Sequence, residues 1–304
     1  MAQNTASTMT KAYPAKLLLF GEYSIMQAAP ALALPFWAYR ANWSWSAAKE
    51  RLASQQGLQL LLDSMAPNCC LDLERLGEDL RAGIWLQSDI PHGYGLGSSG
   101  SLVAAVYERY AKGEKARGEE LILTLAQIEK AFHGQSSGID PLVSYLRKGL
   151  FWEAGQSEIL GQEIRLGESD RAQLFLLNTK IARQTAPLVQ HYLQACAQAD
   201  FPLAEQKELA QAHSLAISAY LGQEDEVLGT AFREISALQH RFFQRMIPAD
   251  FKEIWQKGLE GGSYLLKLCG AGGGGFLLGY SQDWAATQGE LSAFELLPLS
   301  LGQI

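Results

Sequence analysis

Cysteine is scarce in this chain of 304 residues: Cys69, Cys70, Cys196 and Cys269 are the four present, with no metal-ligand spacing among them. The adjacent pair makes a poor disulfide framework, and a reducing cytoplasm is the expected compartment. Positive charge is also in deficit. Lys and Arg total 25 against 32 Asp and Glu, a formal net charge of −7. That balance argues against nucleic acid or an anionic membrane as a general partner, while a local basic pocket for phosphates stays possible. No apolar run reaches about 18 residues, so no spanning helix is indicated. The polar N-terminal stretch has no apolar segment of a signal peptide. Internal repeats and low-complexity segments are lacking too. What remains is a globular chain, 48% hydrophobic, able to bury a substantial core and long enough for two domains.

The stretch around which the rest is read is SDIPHGYGLGSSGSLVAAVY, from Ser88 to Tyr107. Gly93, Gly95 and Gly97 leave backbone N–H groups uncovered by Cβ atoms. Ser98, Ser99, Gly100 and Ser101 then open a helix whose first N–H groups have no internal partner. Such a helix start binds anions, phosphate above all. No lysine follows Gly97, which excludes the nucleotide-hydrolase loop ending in Gly-Lys-Ser/Thr. Gly95, Gly97 and Gly100 satisfy G-x-G-x-x-G, but a dinucleotide fold places its first glycine directly after the first strand, and Pro91 to Tyr94 intervene here. A plain glycine-rich turn before a core helix is the competing reading.

In chain order, Ala15 to Phe20 reads as a short strand with Lys16 at its start, and residues 31–46 as two more. Phe36, Trp37, Tyr39, Trp43 and Trp45 serve packing, an adenine wall or both. Residues 50–82 carry helical spacing, and 83–90 form the strand feeding the loop. After the loop, Leu102, Val103, Val106, Tyr107 and Tyr110 share one helix face. The following helix carries an apolar stripe of Leu121, Ile122, Leu125, Ile128 and Phe132. At 100° per residue Glu129 falls roughly 40° from Leu125, within the stripe, so a carboxylate is aimed inward. Buried carboxylates need a cation or a metal: Glu129 is either a Mg²⁺ ligand or the partner of an arginine at a helix edge. HGQSSGIDP at 133–141 reads as a second small-residue loop ending in Asp140, which is a turn or cap residue or a general base for a hydroxyl. Residues 172–180 form a strong strand, and Thr185 caps a helix to about 198. Helices are expected at about 203–222, 225–245 and 250–260. Tyr264 to Leu268 and Phe276 to Tyr280 are strand-like around Gly270 and Gly272 to Gly275. Four consecutive glycines exceed what a hairpin needs and favour close contact with the phosphate loop. A helix at about 282–291 and a strand at 293–298 follow.

These residues together resemble the GHMP kinases, a superfamily that includes galactokinase, homoserine kinase, mevalonate kinase and phosphomevalonate kinase. Three motifs carry the likeness in order: AKLLLFGEYSIM at 15–26, IPHGYGLGSSGSLVAA at 90–105 and KLCGAGGGGFLLG at 267–279. EKAFHGQSSGID at 129–140 and NTKIARQTAPLV at 178–189 further resemble mevalonate kinase.

The resemblance implies an α+β, two-domain GHMP kinase fold. A ribosomal-S5-domain-2-like N-terminal ATP-binding domain would cover 1–165 and a ferredoxin-like C-terminal domain 166–304. It implies ATP and Mg²⁺ as cofactors, with Gly93, Gly95, Leu96, Gly97, Ser98, Ser99, Gly100, Ser101, Gly272 and Gly273 around the nucleotide. Ser99 and Glu129 would hold the metal. Asp140 and Lys16 would be catalytic, Asp140 taking or orienting the proton of the attacking hydroxyl and Lys16 compensating the charge of the migrating phosphoryl group. Glu22, Tyr23, His133, Ser137 and Thr185 would face the acceptor, a small hydroxy acid. The expected activity is phosphorylation of mevalonate by a cytoplasmic monomer or homodimer. Gly21-Glu22-Tyr23 and Gly-Ser-Ser-Gly look more like phosphomevalonate kinase, which needs cations such as Lys180, Arg183 and His133 for its phosphate. A catalytically inactive binding module would have lost Lys16, Glu129 or Asp140, and all three are present. A related decarboxylase is disfavoured by the Glu129 context.

Overall fold

The computed structural model of the chain describes residues 11–45, 51–133, 136–153, 156–160, 173–183 and 185–299. It separates into two compact units that interleave along the sequence. One takes residues 1–16, 35–90 and 97–147, the other residues 17–34, 91–96 and 148–304. The domain break expected between 165 and 166 falls within 161–172, outside the described residues.

Two strands thread both units, β1 (Ala12–Phe20) and β2 (Ala31–Ser44). The first unit adds α1 (Arg51–Ser64), α2 (Leu73–Ala82), β3 (Trp85–Ser88), α3 (Ser98–Tyr110), α4 (Gly118–His133) and α5 (Ile139–Leu146). Its end of β2 pairs antiparallel with β3, from Ala41 opposite Ser88 to Ser44 opposite Trp85. Helix α2 is held at both ends: the Asp72 carboxylate accepts from Arg75 N–H at 3.1 Å, and Gly83 closes it at φ 99°. Helix α3 is buried along Val103, Val106, Tyr107 and Tyr110 and packs on α4 and α5. At about 1.5–3 kcal/mol per buried large apolar side chain, this face anchors the helix and so the loop before it.

Two sequence expectations change here. Residues 31–44 form one long strand where two were expected, because Pro35 lies between the stretch paired with β4 and the stretch paired with β3 and interrupts neither register. The expected loop at 133–141 turns helical from Ile139, with Gly138 at φ 74° before it and Pro141 inside the first turn, where a missing N–H costs nothing.

The second unit contains β4 (Leu150–Glu153), β5 (Gln156–Ile159), β6 (Gln173–Asn178), α6 (Thr185–Ala197), α7 (Leu203–Gly222), α8 (Asp225–Phe242) and α9 (Ala249–Leu259). It closes with β7 (Tyr264–Leu268), β8 (Phe276–Ser281), α10 (Trp284–Glu290) and β9 (Leu296–Pro298). Here β2 meets β4 antiparallel, Ala31 opposite Trp152. Strands β7-β8-β6-β9 form a four-stranded antiparallel sheet. Every residue of β7 and β8 is buried, which explains their nearly continuous apolar runs. Lys267 is the exception inside β7. No helix among the described residues is long and apolar enough to cross a membrane.

Candidate active site

In the first unit, four separate segments converge. Lys16 on β1 is 7% exposed, and its ammonium stands 2.7 Å from the Asp140 carboxylate in the first turn of α5. Glu129 on α4 is 6% exposed. Its Oε1 accepts from the Ser99 hydroxyl at 3.2 Å, and its Oε2 from the Ser136 hydroxyl. Burial and the nearby Asp140 charge push Glu129 up to about 7, against the two serine hydrogen bonds and the Lys16 charge.

Helix α3 begins at this cluster. Gly97 precedes it at φ 69° and, as the N-cap residue, brings no side chain to the first N–H groups. A Cβ on Gly97 would lie 3.3 Å from both Asp140 Oδ2 and Lys16 Cβ. One on Gly100 would lie 2.8 Å from the Asp140 carbonyl carbon and the Pro141 nitrogen. The glycines let the starts of α3 and α5 touch, and that contact brings a helix N-terminus beside a carboxylate and an ammonium. Ser101 faces away: its hydroxyl donates to the Tyr13 carbonyl at 3.0 Å and is fully buried.

In the second unit, the first half of the glycine loop meets the glycine cluster after β7. Gly275 lies so close to Tyr94 that a Cβ would fall 2.6 Å from the Tyr94 carbonyl oxygen. Tyr94 and Phe276 stack edge to face at 5.4 Å. Arg183 lies between the two loops. Its amide donates to the Gly93 carbonyl at 3.1 Å, its Nη1 donates to the Gly272 carbonyl at 2.8 Å, and a Cβ on Gly95 would collide with its guanidinium. The close approach expected of four consecutive glycines is thus present.

Upstream, Glu22 is 1% exposed and Lys267 fully buried. The Lys267 ammonium donates to Glu22 Oε1 at 2.5 Å, to the Leu19 carbonyl at 3.0 Å and to the Leu268 carbonyl at 2.9 Å. Burial pushes Glu22 above the usual carboxylate range, against the Lys267 charge. His213, also fully buried, accepts the Gly21 N–H on Nδ1 at 3.0 Å, and desolvation pushes it well below the usual imidazole value. The imidazole is therefore neutral.

Residues 57–148 match the family model described as GHMP kinases N terminal domain. That match spans under a third of the chain. Over nearly all of its length the chain has the fold of the GHMP kinases, as solved structures show. The mevalonate kinase of methicillin-resistant Staphylococcus aureus MRSA252 is 21% identical, covers 96% of this chain and 98% of its own, and superposes with a TM-score of 0.55. The L. major mevalonate kinase solved with R-mevalonate is 18% identical, with 98% of each chain covered and a TM-score of 0.63. The Streptococcus pneumoniae phosphomevalonate kinase solved with phosphomevalonate and AMPPNP is 14% identical, with 96% and 100% covered and a TM-score of 0.65. None of the curated proteins matches the sequence.

Within this GHMP kinase fold the sequence-predicted residues separate into two groups. Lys16, Gly97, Ser99, Gly100, Glu129 and Asp140 come together in the first unit, with Ser98 opening α3 beside them. Ser137 lies nearby in sequence, its hydroxyl accepting the Ile139 N–H at 3.4 Å. Gly93, Gly95, Leu96, Gly272 and Gly273 belong to the second unit. Leu96 is 1% exposed, and the Gly273 amide donates to the Met246 carbonyl at 2.5 Å. Glu22 and Tyr23, expected to face the acceptor, are buried and committed, Glu22 to Lys267 and Tyr23 through its hydroxyl to the Ala271 carbonyl at 2.6 Å. The side chains of His133 and Thr185 lie outside the described residues. Sequence reasoning missed Ser136 as a partner of Glu129, and the Lys267–His213 surroundings of Glu22. The serine pair after Gly134 was the one available signal for Ser136.

Proposed function

We propose that the protein is an ATP-dependent small-molecule kinase that transfers a γ-phosphoryl group to a hydroxyl, with mevalonate as the acceptor and 5-phosphomevalonate as the product. The observation that carries this reading is the Lys16–Asp140 pair at 2.7 Å beside Gly97 at the start of α3. A base, a cation and an anion-binding helix terminus then meet in one place, which is what in-line phosphoryl transfer requires.

The residues fit the cofactors. Glu129 and Ser99 supply two hard oxygen donors 3.2 Å apart, a set suited to Mg²⁺, which takes one or two protein oxygens and completes its shell with phosphates and water. Bound there, Mg²⁺ would neutralise charge on the transferring phosphates. Gly97 to Ser99 would cradle those phosphates with backbone N–H groups. Asp140 would accept or orient the proton of the acceptor hydroxyl, and Lys16 would stabilise the charge that develops beside it. The solved neighbours with R-mevalonate and with phosphomevalonate support an acceptor of this class. Phosphomevalonate is the second reading, favoured by the Arg183 guanidinium seated against the glycine loop.

The test is the purified protein with Mg-ATP against mevalonate, phosphomevalonate, homoserine and galactose, following ADP and the phosphorylated product. Turnover is expected with mevalonate. Preference for phosphomevalonate replaces the acceptor, and turnover with none of the four overturns the kinase reading.

A further inference from the structure

Each residue of the Gly21-Glu22-Tyr23 segment is fixed by a buried contact inside the second unit: Gly21 to His213, Glu22 to Lys267, Tyr23 to the Ala271 carbonyl. Tyr23 has φ 63° and ψ −44°, and the Ser24 N–H reaches back to the Glu22 carbonyl at 2.7 Å. This is a γ-turn of positive φ, rare and strained for a residue that carries a Cβ. Strain of that kind persists where surroundings over-determine it. The Tyr23 ring is indeed held from two sides, 4.5 Å from Tyr192 and 5.2 Å from Phe243, and is 5% exposed.

A side chain so fixed cannot swing to meet a small molecule, but it can hold Ala271. One residue further on, the Gly272 carbonyl accepts from Arg183 at 2.8 Å. Arg183 in turn donates its amide to the Gly93 carbonyl at 3.1 Å and fills the space beside Gly95 and Gly270 that a side chain would need. Gly275, at the far end of the same cluster, abuts the Tyr94 backbone. A contiguous path of hydrogen bonds and backbone contacts therefore runs from Tyr23 to residues 93–96.

We propose that Tyr23 is a positioning residue for the glycine loop, acting through Ala271 and Arg183, and that it does not contact the acceptor. The inference rests on the kinase reading only in taking the ligand of that loop to be a nucleotide.

Tyr23→Phe keeps the ring and its stacking and removes one hydrogen bond. Three measurements compare it with the wild type: the dissociation constant of Mg-ATP by calorimetry without acceptor, KM for the acceptor, and hydrogen exchange of the amides at 93–96. The nucleotide dissociation constant is expected to rise about fivefold, the scale of one lost neutral hydrogen bond. Acceptor KM stays within about twofold, because Tyr23 is placed outside the acceptor site, and exchange at 93–96 accelerates about fivefold on the same scale. An acceptor KM that rises while nucleotide binding holds, or exchange at 93–96 that does not change, overturns the inference. A wild-type protein that binds no Mg-ATP defeats the kinase reading instead, and exchange alone then decides the role of Tyr23.

Discussion

Lys267→Met removes the cation from the centre of the second unit. Both side chains of the Lys267–Glu22 pair are fully buried, and removing one partner of such a pair costs about 3–5 kcal/mol because the other charge is left uncompensated. The Leu19 and Leu268 carbonyls also lose their donor, at about 0.5–1 kcal/mol each, for a total near 4–7 kcal/mol. With a urea m-value of about 3 kcal/mol/M for a chain of this size, the midpoint should fall by about 1.3–2.3 M. Trp255, fully buried in the same unit, provides the fluorescence signal. Burial already raises the Glu22 pKa, and without Lys267 it rises further. A group whose folded pKa lies above its unfolded value stabilises fully below the unfolded value, about 4.3 for Glu, and that stability is lost as pH rises through the folded one. The variant should therefore lose ground to the wild type as pH rises above the unfolded value. Adding Glu22→Gln removes the stranded charge, so the double variant should recover about 2 kcal/mol at pH 8 and lose the pH dependence. A single variant within about 1 kcal/mol of wild type, or a double variant no more stable than the single, would refute the reasoning.

Three further outcomes are expected. Asp140→Asn should lower kcat by about 100-fold or more while the calorimetric affinity for Mg-ATP stays within about threefold; wild-type turnover in that variant removes Asp140 from the base role. Glu129→Gln removes a carboxylate whose pKa is raised to about 7, so in metal-free buffer the variant should melt higher than wild type at pH 8, and the gap should close on acidification. Its turnover should demand far more Mg²⁺, and equal melting at both pH values counts against the burial cost. Gly100→Ala places a Cβ 2.8 Å from backbone of α5, which should cost about 1–3 kcal/mol in chemical denaturation; a neutral result means that α3 and α5 can separate without loss.

How much of this was legible in sequence depended on the range of the interaction. The inward aim of Glu129 follows from helical periodicity, which needs only its own helix, and the residue is indeed buried. The contact between the glycine cluster and the first glycine loop was readable because repeated glycine marks backbone approach. Helix α5 was not readable, since Gly138 and Pro141 both punctuate loops and only packing on α3 makes them a helix start. The placement of Glu22 and Tyr23 was hidden for a different reason. Their partners Lys267, His213 and Ala271 lie some 190 to 250 residues away, and a lysine inside an apolar strand carries no local sign of what it binds. Arg183 read as a cation for the acceptor, whereas its links to Gly93 and Gly272 exist only once two loops meet.

Lys16, Gly97, Ser99, Glu129 and Asp140 come from distant stretches of chain yet all fall within one compact unit. For protein engineering this makes the set a self-contained cartridge. Surface substitutions within residues 148–299 leave the contacts that space these groups untouched, so libraries confined there should preserve the Lys16–Asp140 and Ser99–Glu129 contacts.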